Sequence, residues 1–164
     1  MNSISTTDTV IISRTEINAE LAKAGIRREY WQIVLREGVA PQMPTWVLAE
    51  LADALEKKDA RLVQGTTVLP PPLRGCGDFP AEQVCMIGYC GLMQGKGTVE
   101  EIEEFFGDTC IASDNLLGES SFTRHLMNYF DDTDDAICFP AIAAELREIV
   151  RERGGVLISD CEEV

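Results

Sequence analysis

Apolar side chains recur at steps of three and four in several separate stretches, and each stretch predicts an amphipathic helix with one buried face. Ile17, Leu21 and Ala24 form the first, opened by Ser13 and Glu16 at capping-box spacing and closed by Gly25. A second helix is predicted from about Arg27 to Glu37, with Tyr30, Trp31, Val34 and Leu35 supplying apolar surface and Gly38 ending it. After the rigid connection Ala40-Pro41-Gln42-Met43-Pro44, Thr45 is expected to cap a third helix that turns Val47, Leu48, Leu51, Ala52 and Leu55 inward. Thr98 and Glu101 form another capping box, opening a helix over Val99 to Phe106 with Val99, Ile102 and Phe106 inside. Ser120 or Ser121 precedes a helix that buries Phe122, Leu126, Tyr129 and Phe130. Pro140 opens the last one, with Ile142, Leu146, Ile149 and Val150 inward and Gly154-Gly155 as its stop. Two short β-branched runs, around Val10 to Ile12 and Val156 to Ser159, predict strands that pair with each other.

Between these stretches lies a segment with a different pattern. From Val84 to Met93 there is no charged residue, and Val84, Met86, Ile87, Tyr89, Leu92 and Met93 point in nearly every direction around a helix. The pattern predicts a buried central helix over about 80–94, with Pro80 in its first turn. It is too short to cross a bilayer, which takes about 20 apolar residues. Ala81, Cys85, Gly88, Gly91 and Gly95 recur at steps of three and four, a stripe against which another helix can lie close. The expected fold is mainly α, a compact multi-helix arrangement around that helix, with at most a short two-stranded pairing of the terminal segments. Three regions follow from composition: an N-terminal three-helix module (1–62), a Pro/Gly-rich connector (63–79) and an acidic helical domain (80–164). Within the connector, Val68-Leu69-Pro70-Pro71-Pro72-Leu73 is held extended by its prolines and is expected to lie across the surface of its own fold.

Charge sharpens this division. Residues 1–61 carry 8 basic and 9 acidic side chains, net −1, while residues 62–164 carry 6 and 19, net −13. The acidic part repels nucleic-acid and membrane phosphates and attracts basic proteins. Its carboxylates gather in two clusters: Glu100, Glu101, Glu103 and Glu104, and then Asp131, Asp132, Asp134 and Asp135. Like charges four apart on a helix, such as Glu100 and Glu104, disfavour it by about 0.2–0.5 kcal/mol.

Several chemistries are excluded on spacing. Gly95-Lys96-Gly97 is not a phosphate loop, because Gly97 stands where Ser or Thr is required and Cys90 where a glycine is required. The aspartate run is not a calcium loop, since counting from Asp131 puts Ala136 at the glycine place and Ile142 at the glutamate place. Six cysteines occur with no Cys-x-x-Cys pair and a single histidine, His125, so neither a metal nor a cofactor is expected. No charged-then-apolar secretory pattern opens the sequence, and reduced thiols in a cytoplasmic protein are expected.

Leu21-Ala22-Lys23-Ala24-Gly25-Ile26, the helix carrying Arg27-Arg28 and Tyr30-Trp31, and Pro44-Thr45 followed by Leu48-Ala49-Glu50-Leu51-Ala52-Asp53-Ala54-Leu55 give residues 17–55 an order that resembles the Cro/repressor type of helix-turn-helix. The resemblance implies that the helix after the Ala-Gly-Ile turn enters the DNA major groove, with Arg27, Arg28, Gln32 and Arg36 near DNA. Residues 85–150 are similar to small uncharacterised bacterial and phage families through a Cys-x-x-Gly-aromatic helix, here Cys85-Met-Ile-Gly-Tyr89. That likeness implies no activity.

Three functional readings follow. The leading one is a non-enzymatic acidic interaction protein of phage or mobile-element type, whose eight clustered carboxylates stand in for phosphates and inhibit a basic nucleic-acid-binding partner protein. The alternative is a helix-turn-helix transcriptional regulator that binds DNA through Arg27, Arg28, Gln32 and Arg36. The third, a small thiol enzyme, would have to combine His125 with a cysteine, and no local signature surrounds either.

Overall fold

A computed structural model describes residues 16, 19, 28–72 and 77–154. Among these the chain is mainly α, with a two-stranded antiparallel sheet as its β structure. Helix α1 is Tyr30–Ile33, continued by a π-helical turn, Val34–Val39, and a 3-10 turn, Ala40–Gln42. Helix α2 is Thr45–Lys57, strand β1 is Val68–Leu69 and strand β2 is Gln83–Val84. Four helices follow: α3 (Met86–Met93), α4 (Val99–Leu117), α5 (Arg124–Asp132) and α6 (Asp135–Glu152). Glu16 and Ala19 have helical backbone where the first helix is expected. The remainder of that helix, the strands expected at Val10–Ile12 and Val156–Ser159, and Arg27, Cys76 and Cys161 lie outside the described residues.

The central helix is buried on all sides, as its pattern predicts: Met86, Ile87, Gly88, Tyr89, Cys90 and Gly91 are all inside. It starts later than expected, however. Residues 81–85 are extended, because β2 completes the edge offered by the proline-stiffened arm: Val84 pairs with Val68 and Gln83 with Leu69. Backbone bonds from Glu82 to Leu69 and from Cys85 to Thr67 extend the ladder at either end. Pro80 is thus not in a helix but in a bridge with Thr98, flanked by bonds from Ala81 to Gly97 and from Val99 to Phe79. The Cys85 sulfur caps α3 by accepting from the Gly88 N–H at 3.3 Å.

The glycines of α3 admit α4. A Cβ at Gly88 would stand 3.1 Å from Ile102 and 2.9 Å from Val84, and one at Gly91 would stand 3.0 Å from Phe105. The capping box of α4 is formed by Thr98 and Glu101 as predicted, but the helix runs eleven residues beyond Phe106 to Leu117 and ends at Gly118 in the left-handed conformation, φ 75°. Its inner face there is carried by Thr109, Ser113 and Leu117, and two of these are polar, which hides the period. Ser113 is satisfied by the Thr123 hydroxyl at 2.7 Å.

Three other boundaries move for local reasons. Gly38 does not stop a helix: it lies inside the π-helical turn against Ser113 and Leu117, where a Cβ would come within 2.9 Å of the Leu117 methyl. Thr45 is the first residue of α2 rather than its cap, and its hydroxyl accepts from Arg153 at 3.3 Å. Helix α6 begins at Asp135, capped by Asp134 accepting from Ala136, so Pro140 falls inside it. The carbonyl freed by the missing proline N–H belongs to Ala136, an exposed residue that water reaches.

One hydrophobic core extends from Trp31 to Val150 and takes in side chains from each of α1 to α6, so the region boundaries at 62 and 79 do not interrupt it. Helix α2 packs along α6, and the π-helical turn packs along α4. Trp31 stacks on Tyr129 at 4.5 Å and Phe130 on Phe139 at 5.5 Å. Gly38→Ala is expected to cost about 1–3 kcal/mol of unfolding free energy through overpacking, measured by urea denaturation. Pairing it with Ser113→Gly, which opens space at the contact, should recover part of that loss.

Candidate interaction surface

The eight carboxylates singled out from the sequence divide by what they touch. Glu101 accepts from the Gly97 N–H at 2.8 Å and the Thr98 N–H at 3.2 Å, and these bonds, in that order, hold its carboxyl below the ordinary glutamate range. Asp131 accepts from the Gly65 N–H at 2.9 Å, while burial pushes its carboxyl up. Asp134 caps α6, and Asp135 meets the Lys58 ammonium at 3.4 Å. These four have local structural work. Glu100, Glu103, Glu104 and Asp132 have no ion pair or side-chain hydrogen bond among the described residues. The first cluster is anchored at 97–101 and the second at Gly65 and Lys58, and no hydrogen bond or ion pair among the described residues joins the two.

Helix geometry gathers a ridge that the sequence reading cut short. Glu100, Glu104 and Asp108 follow at intervals of four on the exposed side of α4, Glu103 flanks them, and exposed Ile111 continues the line. Asp108 carries no partner either, and the sequence reading missed it because the predicted helix ended at Phe106. Its spacing from Glu104 was the available signal.

Several cations on other elements are paired. Arg36 reaches α6 from the π-helical turn and meets Glu145, Glu148 and Glu152, the last at 2.9 Å, with its side chain 9% exposed. Gln32 adds a bond to Glu145 at 3.0 Å while its amide oxygen accepts from the Glu29 N–H. Lys57 pairs with Asp53, Arg61 with Asp59 and Arg147 with Glu56. Arg153 instead donates to the carbonyls of Ala40 and Met43. Of the residues the helix-turn-helix resemblance brings near DNA, Gln32 and Arg36 are therefore turned to α6, Arg28 is exposed, and Arg27 lies outside the described residues.

His125 packs edge-on against Phe122 at 4.7 Å and Tyr30 at 4.8 Å, and desolvation, then Arg124, lowers its pKa. Burial pushes the thiols of Cys85 and Cys90 up to about 12 and those of Cys110 and Cys138 to about 11, which keeps them protonated at neutral pH. Among the described residues no cluster of His, Cys, Asp and Glu is arranged to hold a metal ion, and no helix is long and apolar enough to cross a membrane.

Comparison of this chain with models of protein families, with curated proteins and with solved structures finds no match.

The Arg36 network makes a stability prediction. Arg36→Met leaves Glu145, 8% exposed, without its cation and should cost about 3–5 kcal/mol in urea unfolding. Adding Glu145→Leu should restore a large part of that loss, because the buried charge leaves with its partner.

Proposed function

We propose that this protein is a non-enzymatic acidic interaction protein that binds and inhibits a basic nucleic-acid-binding protein, with the outer face of α4 standing in for phosphates. The observation that carries the reading is that Glu100, Glu103, Glu104 and Asp108, on the outer side of α4, make no ion pair or side-chain hydrogen bond among the described residues; Lys96, which lines the cavity beside Glu104 and Asp108, forms no ion pair with either. Four carboxylates on eight residue steps span about 12 Å of helix axis, or one charge per about 3–4 Å. A single DNA strand places its phosphates at about 3.4 Å along the axis, so the linear charge density is comparable. A cationic groove shaped for nucleic acid meets a similar field here. Ile111, 64% exposed on the same line, supplies an apolar contact beside the charges.

Association of this kind is steered by long-range attraction and weakens as salt screens it. The DNA-binding alternative draws less support, since two of its four side chains are committed to Glu145. The test is affinity capture from a bacterial lysate at about 50 mM and about 500 mM salt, a range over which screening becomes severe. A basic nucleic-acid-binding protein is expected at low salt, released by high salt and displaced by duplex DNA. Combining Glu100→Gln, Glu103→Gln, Glu104→Gln and Asp108→Asn should abolish the recovery. Capture that survives this neutralisation, or that DNA does not displace, contradicts the reading.

A further inference from the structure

Beside the α4 ridge, where the helix faces the turn at Gln42, lies a cavity of about 420 Å3, within the size range of small-ligand pockets. Its lining is rich in acceptors. Glu104 and Asp108 enter it from α4 with no partner of their own. Gln42 spends its amide nitrogen on the carbonyls of Gly38 at 2.9 Å and Thr109 at 3.0 Å, leaving its oxygen as an acceptor. Thr109 also lines the cavity, is only 4% exposed, and its hydroxyl makes no hydrogen bond among the described residues. A buried hydroxyl without a partner is costly, so this one marks a place that a ligand completes. Half-buried Phe105 adds an aromatic wall, and Lys96 on the lining makes no ion pair.

We propose that this cavity receives the guanidinium of an arginine side chain carried by the basic partner, an inference that rests on the reading of α4 as a docking face. Three carboxylates, of which Glu104 and Asp108 are unpartnered and Glu101 accepts from the Gly97 and Thr98 N–H groups, stand with an amide oxygen and a hydroxyl around one aromatic wall, and they match a planar group with five N–H donors that can fork to carboxylates and stack on a ring. A lysine ammonium offers three donors, holds its water more tightly and does not stack in the same way. The ridge supplies attraction, and the cavity supplies preference for one kind of cation.

The test is a two-dimensional amide NMR titration of the full chain at about 50 mM salt, where surface charges are only partly screened, with a hexa-arginine peptide and a hexa-lysine peptide as probes. The arginine peptide is expected to bind about fivefold or more tighter, an advantage of the size charge-assisted forked bonds provide. Its shift changes should centre on Phe105, Asp108, Thr109 and Ala112. Asp108→Asn, at an exposed position, and Thr109→Val, which removes an unpartnered hydroxyl, should each erase most of that preference while the chain stays folded. Lys96→Ala should tighten binding, because it removes a like charge from the wall. Equal affinity for the two peptides, weakened as much by Glu100→Gln with Glu103→Gln as by Asp108→Asn, overturns the cavity while leaving the docking face intact. Looser binding after Lys96→Ala also overturns it, since the site would then favour an anion. No binding of either peptide at low salt removes the cavity and the docking face together.

Discussion

Two absent side chains govern the layout of this protein. Without a Cβ at Gly88 and Gly91, the backbone of α3 lets Ile102 and Phe105 settle directly on it, so closely that an added methyl group would stand 3.1 Å from Ile102 or 3.0 Å from Phe105 and push them outward. That contact fixes the rotation of α4 about its own axis. With Ile102, Thr109, Ser113 and Leu117 turned to the core, helix periodicity sends Glu100, Glu104, Asp108 and Ile111 to the opposite side. The acidic ridge is therefore a geometric consequence of a glycine-bearing helix packed beneath it. The capping box at Thr98 and Glu101 sets where the helix begins and so which turn comes first.

Charge is distributed unevenly around this frame. Arg36 draws three carboxylates of α6 onto one guanidinium, and Gln32 joins them, which ties the first described helix to the last. The same arrangement removes two polar side chains from any external role. Aspartates in the second cluster cap a helix, meet a lysine or accept from a loop N–H, so their density in the sequence reflects local turn chemistry. The ridge on α4 combines several unpartnered carboxylates on one helix face with an exposed aliphatic side chain and an adjoining cavity. Mutual repulsion along it is a cost that a cationic partner relieves.

Much of the fold was legible in the chain because its signals were local. The apolar repeat of α2, the capping box of α4 and the all-round apolar surface of α3 each appear at the positions the pattern implies. What was not legible depended on partners distant in sequence. Residues 81–85 are extended because Val68 and Leu69 offer them an edge, and Gly38 is required by Ser113 and Leu117 rather than by a helix end. Polar inward residues such as Thr109 and Ser113 concealed the second half of α4 and, with it, Asp108. Of the site, the first acidic cluster could be read directly. The tie of Asp131 to Gly65, and the burial of Arg36, could not, since both are set by contacts more than sixty residues apart.

The central claim is that the carboxylates of the α4 ridge are held out, uncompensated, for something other than the protein's own stability. Unfolding of Glu104→Gln, followed by urea denaturation at low and high salt, tests this most directly, because Glu104 has a like charge four residues away on either side. Neutralising it should raise stability by about 0.4–1 kcal/mol at low salt, the relief of two repulsive pairs, and the gain should shrink as salt rises. A loss of stability on the same substitution would contradict the account, for it would mean that Glu104 serves the fold through an attractive contact of its own.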